Sequence, residues 1–310
     1  MEKRLLYVGN MLSNQGSNLT SIETLAVLLK KDGFHIKRTS SRKNQILRVF
    51  DMLLTIFKLS KKLDYVLIDT YSTTGFWFAY FSGKLCQYFN LKYIPILRGG
   101  NLPHRLNKSP RACKSLFLNA KLNIAPSNYM LENFKKHDYH NTKLIPNSIE
   151  IKNYIFKKRL KLKPKLLWVR AFVDIYNPIL ALKVLKLLLK HYPEAQLSMV
   201  GPFKDDSIEA CRDYAKKHKL PVKFTGKMPK AEWIAYAKNF DVFINTTNVD
   251  NTPVSVIEAM ALGLPIVTTN VGGLPYLLED KKQALLVNPD DEEAMTNAIL
   301  NLLHDQNLAQ

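Results

Sequence analysis

Short apolar runs alternate with amphipathic stretches along nearly all of the 310-residue chain. In the first half, residues 5–9, 65–69, 93–97 and 122–125 are brief runs rich in Ile, Val, Leu and Tyr, which predicts buried strands. Helical spacing fills 19–31, 43–62, 75–89 and 127–136. After residue 164 the alternation restarts. Strands are expected at 165–169, 196–200, 222–224, 242–245, 265–269 and 284–287, and helices at 178–191, 207–218, 229–238, 253–262 and 291–304. Two βα series predict an α/β fold with two doubly wound parallel sheets. The break falls in KKRLKLKP, residues 157–164, which is basic, poor in large apolar residues and closed by a proline. That sets expected domains of 1–158 and 159–310. A loop inside one large domain fits less well, because the βα count is too high for a single sheet.

Length supports the same division, since 310 residues suit two domains better than one. The apolar fraction of 46% and charged fraction of 23% are those of a soluble globular protein. Cys86, Cys113 and Cys211 lie far apart with no CxxC spacing, which argues against a disulfide framework and a structural zinc site. A reducing, cytoplasmic compartment is expected. No signal peptide is visible in MEKRLLYV, and the longest apolar window, 75–81, is far too short to span a bilayer. Charge changes the picture more. Residues 1–160 hold 27 Lys/Arg against 9 Asp/Glu, a balance of +18, and the remaining 18 and 17 give +1. The basic half should face something anionic, such as nucleic acid, an acidic membrane surface or a phosphorylated substrate. Nucleic acid is the weakest of these, as no aromatic-rich RNA motif or helix-turn-helix pattern appears.

The stretch DNTPVSVIEAMALGLPIV, residues 250–267, poses the sharpest chemical question. Thr252 can cap the helix that follows, Pro253 suits its first position and Gly263 its end. The free N–H groups near Val254 and Ser255 would form an anion site at the carboxyl end of a strand, where ligands of such sheets bind. Asp250 precedes that site, and Glu258 sits in the second turn amid apolar neighbours. Two readings stay open. Both carboxylates accept hydrogen bonds from sugar hydroxyls, or Asp250 is a turn residue and Glu258 is salt-bridged to a basic neighbour. Asp205 and Asp206 follow a Gly-Pro turn and precede a helix, so capping explains them better than metal binding. Most histidines, among them His35, His137, His140, His191 and His218, are expected at the surface; His104, after a Gly-Gly turn, is the one placed near a cleft, with a solvated loop histidine the equal alternative. No Ser-His-Asp or Cys-His arrangement has supporting context. Residues 42–63 form a helix with basic ends and a broad apolar stripe, by default a core-packing helix. The +18 of its half raises the alternative of a membrane-surface helix. GFWFAYF, residues 75–81, is expected in the core rather than in an acceptor groove.

From Asp250 through TTNVGGLP the chain resembles the donor-site motif of glycosyltransferase family 4, the retaining GT-B enzymes. That motif is a Glu, seven residues and a second Glu, then an apolar helix, a strand and a Gly-Gly turn. The resemblance implies a GT-B fold, with two Rossmann-like domains facing a cleft. It implies a C-terminal domain for a nucleotide-sugar donor, UDP- or GDP-linked, and an N-terminal domain for the acceptor. Glu258 matches the second Glu, whose implied role is to hold the ribose hydroxyls. Asp250 falls on the first, which contacts the hexose, but with a shorter side chain. LWVR, residues 167–170, resembles the strand whose Arg contacts the donor diphosphate, which gives Arg170 that role; Ile175 and Tyr176 stand where the family usually adds a Lys. Pro253, Val254 and Ser255 join it at the helix start. QLSMVGP (196–202) and VKFTGK (222–227) resemble strands whose following loops cradle the nucleobase, which implicates Gly201, Gly226 and Lys227. NQGSNLT (14–20) resembles a loop that closes on the donor, with Gly16 at the phosphate. LRGGNLP (97–103) and IAPSNYM (124–130) resemble segments lining the cleft, and place Arg98, Gly99, Gly100 and His104 on the acceptor side.

The activity so implied is retaining, metal-independent sugar transfer to a glycan or lipid-linked acceptor in cell-surface polysaccharide synthesis. No resident cofactor and no metal are expected. No enzymic base is assigned, because in this family the leaving phosphate takes the acceptor proton. An anionic membrane surface is a further expected partner of the basic half. Three departures feed an alternative, a GT-B-fold binding or regulatory subunit without turnover: Asp250 for Glu, the missing Lys near 175, and a chain that stops at Gln310, before the last helix usual in the family. A nucleotide-sugar epimerase, which shares the fold, is a third reading.

Overall fold

A computed structural model describes residues 3–13, 20–305 and 307–308. Contacts divide the chain into two units, Met1–Pro146 and Asn147–Gln310.

The first unit carries β1 (Arg4–Val8), α1 (Ser21–Lys31), β2 (His35–Thr39), α2 (Gln45–Leu59), β3 (Tyr65–Thr70), α3 (Gly75–Tyr88), β4 (Tyr93–Leu97), α4 (Leu102–Lys108), α5 (Pro110–Phe117), β5 (Asn123–Ala125), α6 (Asn128–Lys136) and β6 (Thr142–Leu144). Its six strands are parallel in the order β2-β1-β3-β4-β5-β6. The middle strands are covered on both faces and therefore read as continuous apolar runs. Leu6, Ile68, Phe76, Leu97, Phe117 and Phe134 are fully buried in one core. Two strands escape the hydrophobic pattern, β2 and β6, and both lie at sheet edges. HIKRT in β2 is mostly exposed, as suits an edge that must not pair with another chain. α4 and α5 were also not expected. Each carries a proline in its first turn, where its missing N–H costs nothing.

The second unit carries β7 (Lys165–Val169), α7 (Pro178–Leu188), β8 (Gln196–Val200), α8 (Ser207–Lys217), β9 (Val222–Gly226), α9 (Lys230–Ala237), β10 (Val242–Asn245), α10 (Val254–Ala261), β11 (Ile266–Thr269), α11 (Leu274–Leu277), β12 (Leu285–Val287) and α12 (Glu292–His304). Its strands are parallel in the order β12-β11-β10-β7-β8-β9. Trp168, Phe172, Leu182, Val184 and Ile299 are fully buried on one side of this sheet, and Phe243, Val256 and Ala259 on the other. Each unit is thus a doubly wound Rossmann-like sheet, the pair that defines the GT-B class.

Residues 147–163 pack on the second sheet as a strap. Arg159 is buried and donates to the carbonyls of Phe240, Leu262 and Gly263, two of which lie just past the end of α10 and have no intrahelical donor. Gly263 has φ +67 at that helix end, and a Cβ there would meet the Lys157 carbonyl at 2.8 Å. No helix among the described residues is long and apolar enough to cross a membrane.

Candidate donor site

The site begins where β7 and β8 end. Arg170 follows β7, and its N–H bonds the Val200 carbonyl at 3.0 Å. A Cβ on Gly201 would lie 1.7 Å from the Arg170 carbonyl, so only glycine lets the two chains run this close. That approach fixes the backbone from which the Arg170 side chain projects. Its guanidinium carbon sits 4.0 Å from the centroid of the Tyr176 ring, and one Nη2 hydrogen bonds the Asp250 carboxylate. Its Nε is buried and meets no acceptor among the described residues.

Asp250 is held from the opposite side. Its carbonyl accepts from Gly273 N–H at 3.1 Å and its Oδ1 from Asn251 N–H at 2.9 Å. A Cβ on Gly272 would come within 2.1 Å of the Asp250 carbonyl, and one on Gly273 within 1.6 Å of the Asn251 carbonyl. The Gly-Gly turn after β11 therefore exists for the loop after β10. Burial pushes the Asp250 carboxyl above the ordinary carboxylate range, and the Arg170 charge opposes that shift.

α10 starts at Val254 with Pro253 as its N-cap and no side-chain cap, so Thr252 does not play the capping role expected of it. The first-turn amides, those of Val254 and Ser255 among them, lack intrahelical acceptors. Ser255 Oγ is buried beside them with no partner among the described residues. One turn on, Glu258 is buried. Its Oε1 accepts from the Tyr154 hydroxyl at 2.7 Å and pairs with Lys230 Nζ at 2.5 Å. Burial first, then the carboxylate beside it, raise the Tyr154 phenol well above its usual range. Of the two readings of Glu258, the salt bridge is therefore present, with both contacts made by Oε1. Gly226 closes β9 with φ +71, its carbonyl accepting from Gly201 N–H at 2.9 Å, and Lys227 follows it, exposed.

The residues expected on the acceptor side belong to the first unit. Arg98 is turned inward onto buried Asp69, Nε to Oδ1 at 3.3 Å, and the Tyr7 hydroxyl donates to the same oxygen at 2.9 Å. Asp69 Oδ2 is buried and unpartnered among the described residues, and a Cβ on Gly9 would lie 2.7 Å from it. Gly99 makes a close turn, since a Cβ there would sit 2.3 Å from Ser72 N. Gly100 follows in the same turn, and His104 is exposed on α4 rather than in a loop. Gly16 lies outside the described residues. Asp205 accepts from the N–H groups of Asp174 and Ser207, a turn-and-cap role. Four partners were missed from sequence, namely Tyr154, Lys230, Tyr176 and Asp69. Only Asp69, a lone carboxylate near the end of the apolar strand β3, carried a local signal.

Comparison with known proteins places this geometry. The chain superposes on sucrose-phosphate synthase from Thermosynechococcus elongatus with a TM-score of 0.82, at 17% identity, covering 99% of this chain and 91% of that one. It superposes on Anabaena HepE in complex with UDP and glucose with a TM-score of 0.79, at 14% identity, covering 99% and 92%. In sequence it is 30% identical over 131 residues to the sulfoquinovosyl transferase SQD2 of Arabidopsis thaliana. That match covers 41% of this chain and 24% of SQD2, well under two thirds of the relative's length. A family model described as glycosyl transferases group 1 matches residues 150–310, which is over half of the chain and takes in every residue of the second-unit site described above. On that match, carried by the sheet that holds Arg170, Asp250 and Glu258, the chain belongs to the group 1 glycosyl transferases.

Proposed function

We propose that the protein is a retaining glycosyltransferase that moves a sugar from a nucleotide-sugar donor to a glycan or lipid-linked acceptor of a cell-surface polysaccharide, without a metal ion. Arg170 is the observation that carries this reading. It is a mostly buried cation at a strand end, braced on Tyr176, with one N–H still unpartnered. Such a group suits the charge that grows on a leaving diphosphate. The amides of Val254 and Ser255 would share that charge from the helix start. Glu258 would take ribose hydroxyls through Oε2, and Asp250 hydroxyls of the sugar. Transfer breaks the bond between the anomeric carbon and the diphosphate oxygen and forms one to the acceptor hydroxyl on the same face. The acceptor proton passes to the leaving phosphate. The UDP and glucose bound by HepE favour a UDP-linked donor.

A thermal-shift panel of UDP, GDP, ADP, CMP and dTDP in EDTA, on wild type and Arg170→Ala, tests the reading. One nucleotide should raise the melting temperature of wild type alone, and the matching nucleotide sugar should then be turned over in EDTA. No shift with any nucleotide refutes the donor site. A second reading, a binding subunit without turnover, draws on the self-pairing of the site, where Arg170 already holds Asp250 and Lys230 already holds Glu258. Nucleotide binding with no turnover of any donor would select it.

A further inference from the structure

α2 is apolar on two sides. Met52 and Ile56 face the core with the buried Arg48. Ile46, Leu47, Phe50, Leu54 and Phe57 form a second stripe that the fold leaves in solvent; Phe50 is 68% exposed and Phe57 59%. The default of a helix whose apolar residues all serve the core is thus wrong for half of this one. α3 runs beside it and adds Trp77, Phe81 and Tyr88, also exposed. Phe50, Phe57, Phe81 and Tyr88 line an open groove of about 490 Å³ between the two helices, with Lys84 at its edge. An exposed apolar surface of this extent on a soluble domain marks an interaction site.

Charge says what covers it. Arg42, Lys43, Lys58, Lys61, Lys62 and Lys84 are exposed on these two helices and their ends. Asp51 is the one acidic residue in 42–63, and 70–91 contains none. A second copy of this chain meeting the same face would bring six cations against six, which is repulsive. An anionic bilayer meets both features at once, with acyl chains for the phenylalanines and headgroup phosphates for the lysines. We propose that the α2–α3 face docks the protein on an anionic lipid bilayer, with Phe50, Phe57, Phe81 and Trp77 entering the headgroup–acyl boundary. The inference does not rest on the donor site, which belongs to the other unit.

The test uses the full chain, with vesicles of phosphatidylcholine alone or mixed with phosphatidylglycerol. Of the three tryptophans, Trp168 and Trp233 are buried, so Trp77 is the solvent-facing reporter. Wild type should sediment with the anionic vesicles only, and its fluorescence should shift to the blue. Two triple variants, Phe50→Ser with Phe57→Ser and Phe81→Ser, and Lys58→Glu with Lys61→Glu and Lys62→Glu, should each lose at least about tenfold in binding, as should wild type at high salt. Unchanged circular dichroism and nucleotide shift would show that the variants fold. Absence of binding to anionic vesicles overturns the proposal, as does equal binding of wild type and both variants. A wild-type dimer in light scattering that the phenylalanine variant converts to monomer overturns it too, since the face would then be a protein interface.

Discussion

Replacing Glu258 in two ways separates a structural carboxylate from a ligand-binding one. In Glu258→Ala, the Tyr154 hydroxyl loses its acceptor while Tyr154 stays buried. An unsatisfied buried donor costs about 1–3 kcal/mol. Lys230 is 55% exposed at its side chain, so its ion pair adds no more than about 1 kcal/mol. The expected loss of stability is therefore about 1–4 kcal/mol. In Glu258→Gln the amide oxygen still accepts from Tyr154 and only the exposed-side ion pair goes, a loss under about 1 kcal/mol.

Donor affinity should follow a different order. If Oε2 accepts from ribose hydroxyls, those bonds are charge-assisted and worth about 1.5–3 kcal/mol, so Glu258→Ala weakens UDP binding about 10- to 150-fold. Glu258→Gln keeps the shape but loses the charge, and charge-assisted bonds are roughly twice as strong as neutral ones, so it should still weaken UDP several-fold. Urea denaturation reads the first quantity and isothermal titration calorimetry with UDP the second. The loss in affinity should vanish for a uridine diphosphate lacking its ribose hydroxyls. Wild-type UDP affinity in Glu258→Gln, together with lost stability in Glu258→Ala, would refute the reasoning and leave Glu258 as a buttress for Tyr154 alone.

Three further outcomes follow from the same geometry. Tyr176→Phe should bind UDP like wild type, while Tyr176→Ala, which removes the ring under the Arg170 guanidinium, should lose about 0.5–2 kcal/mol in calorimetry. Gly273→Ala places a Cβ where the Asn251 carbonyl lies, so the loop carrying Asp250 must move; a stability loss of about 3 kcal/mol or more is expected in denaturation, with the nucleotide shift abolished. Burial pushes the thiols of Cys86, Cys113 and Cys211 up to about 12. They should resist Ellman's reagent until the chain unfolds. Unfolded thiols ionise near their ordinary pKa of 9.0 while the folded ones keep their protons, so stability should fall as pH rises from there towards 12, by up to about 1.4 kcal/mol per pH unit for each thiol. A triple Cys→Ala variant should show a shallower decline.

The inner strands of both sheets were legible because burial on two faces forces an uninterrupted apolar run, as in β3, β8 and β10. β2 was not, because its outer edge is satisfied by solvent and its side chains are free to be His, Lys and Arg. α4 and α5 were not expected, although Pro103 and Pro110 each sit in the one turn of a helix that tolerates proline. Site residues divide in the same way. Glu258 stands out because a carboxylate among apolar neighbours needs a partner. The partners themselves do not, since Tyr154 lies 104 residues away along the chain and Lys230 opens a helix with no local mark of its role. Tyr176 reads as the absence of a lysine. Its actual use, as a ring beneath Arg170, depends on how the chain turns between β7 and α7.

The candidate donor site neutralises itself, and that bears on how it would bind. Isolated charges at these depths would be costly, and each is met by its opposite from another element, Asp250 by Arg170 and Glu258 by Lys230. The side chains are thereby held in place before any ligand arrives, which lowers the ordering cost of binding. A donor would then bind largely by exchange. Under the proposed reading its diphosphate would replace Asp250 as the partner of Arg170, and Asp250, released, would take hydroxyls of the sugar. On this view Asp250→Ala should leave Arg170 without its ion-pair partner. Nucleotide diphosphates without a sugar should then bind more tightly than to wild type, while the intact nucleotide sugar gains less or loses affinity. Calorimetry that finds UDP bound equally by Asp250→Ala and wild type would mean that Asp250 does not compete with the diphosphate for Arg170.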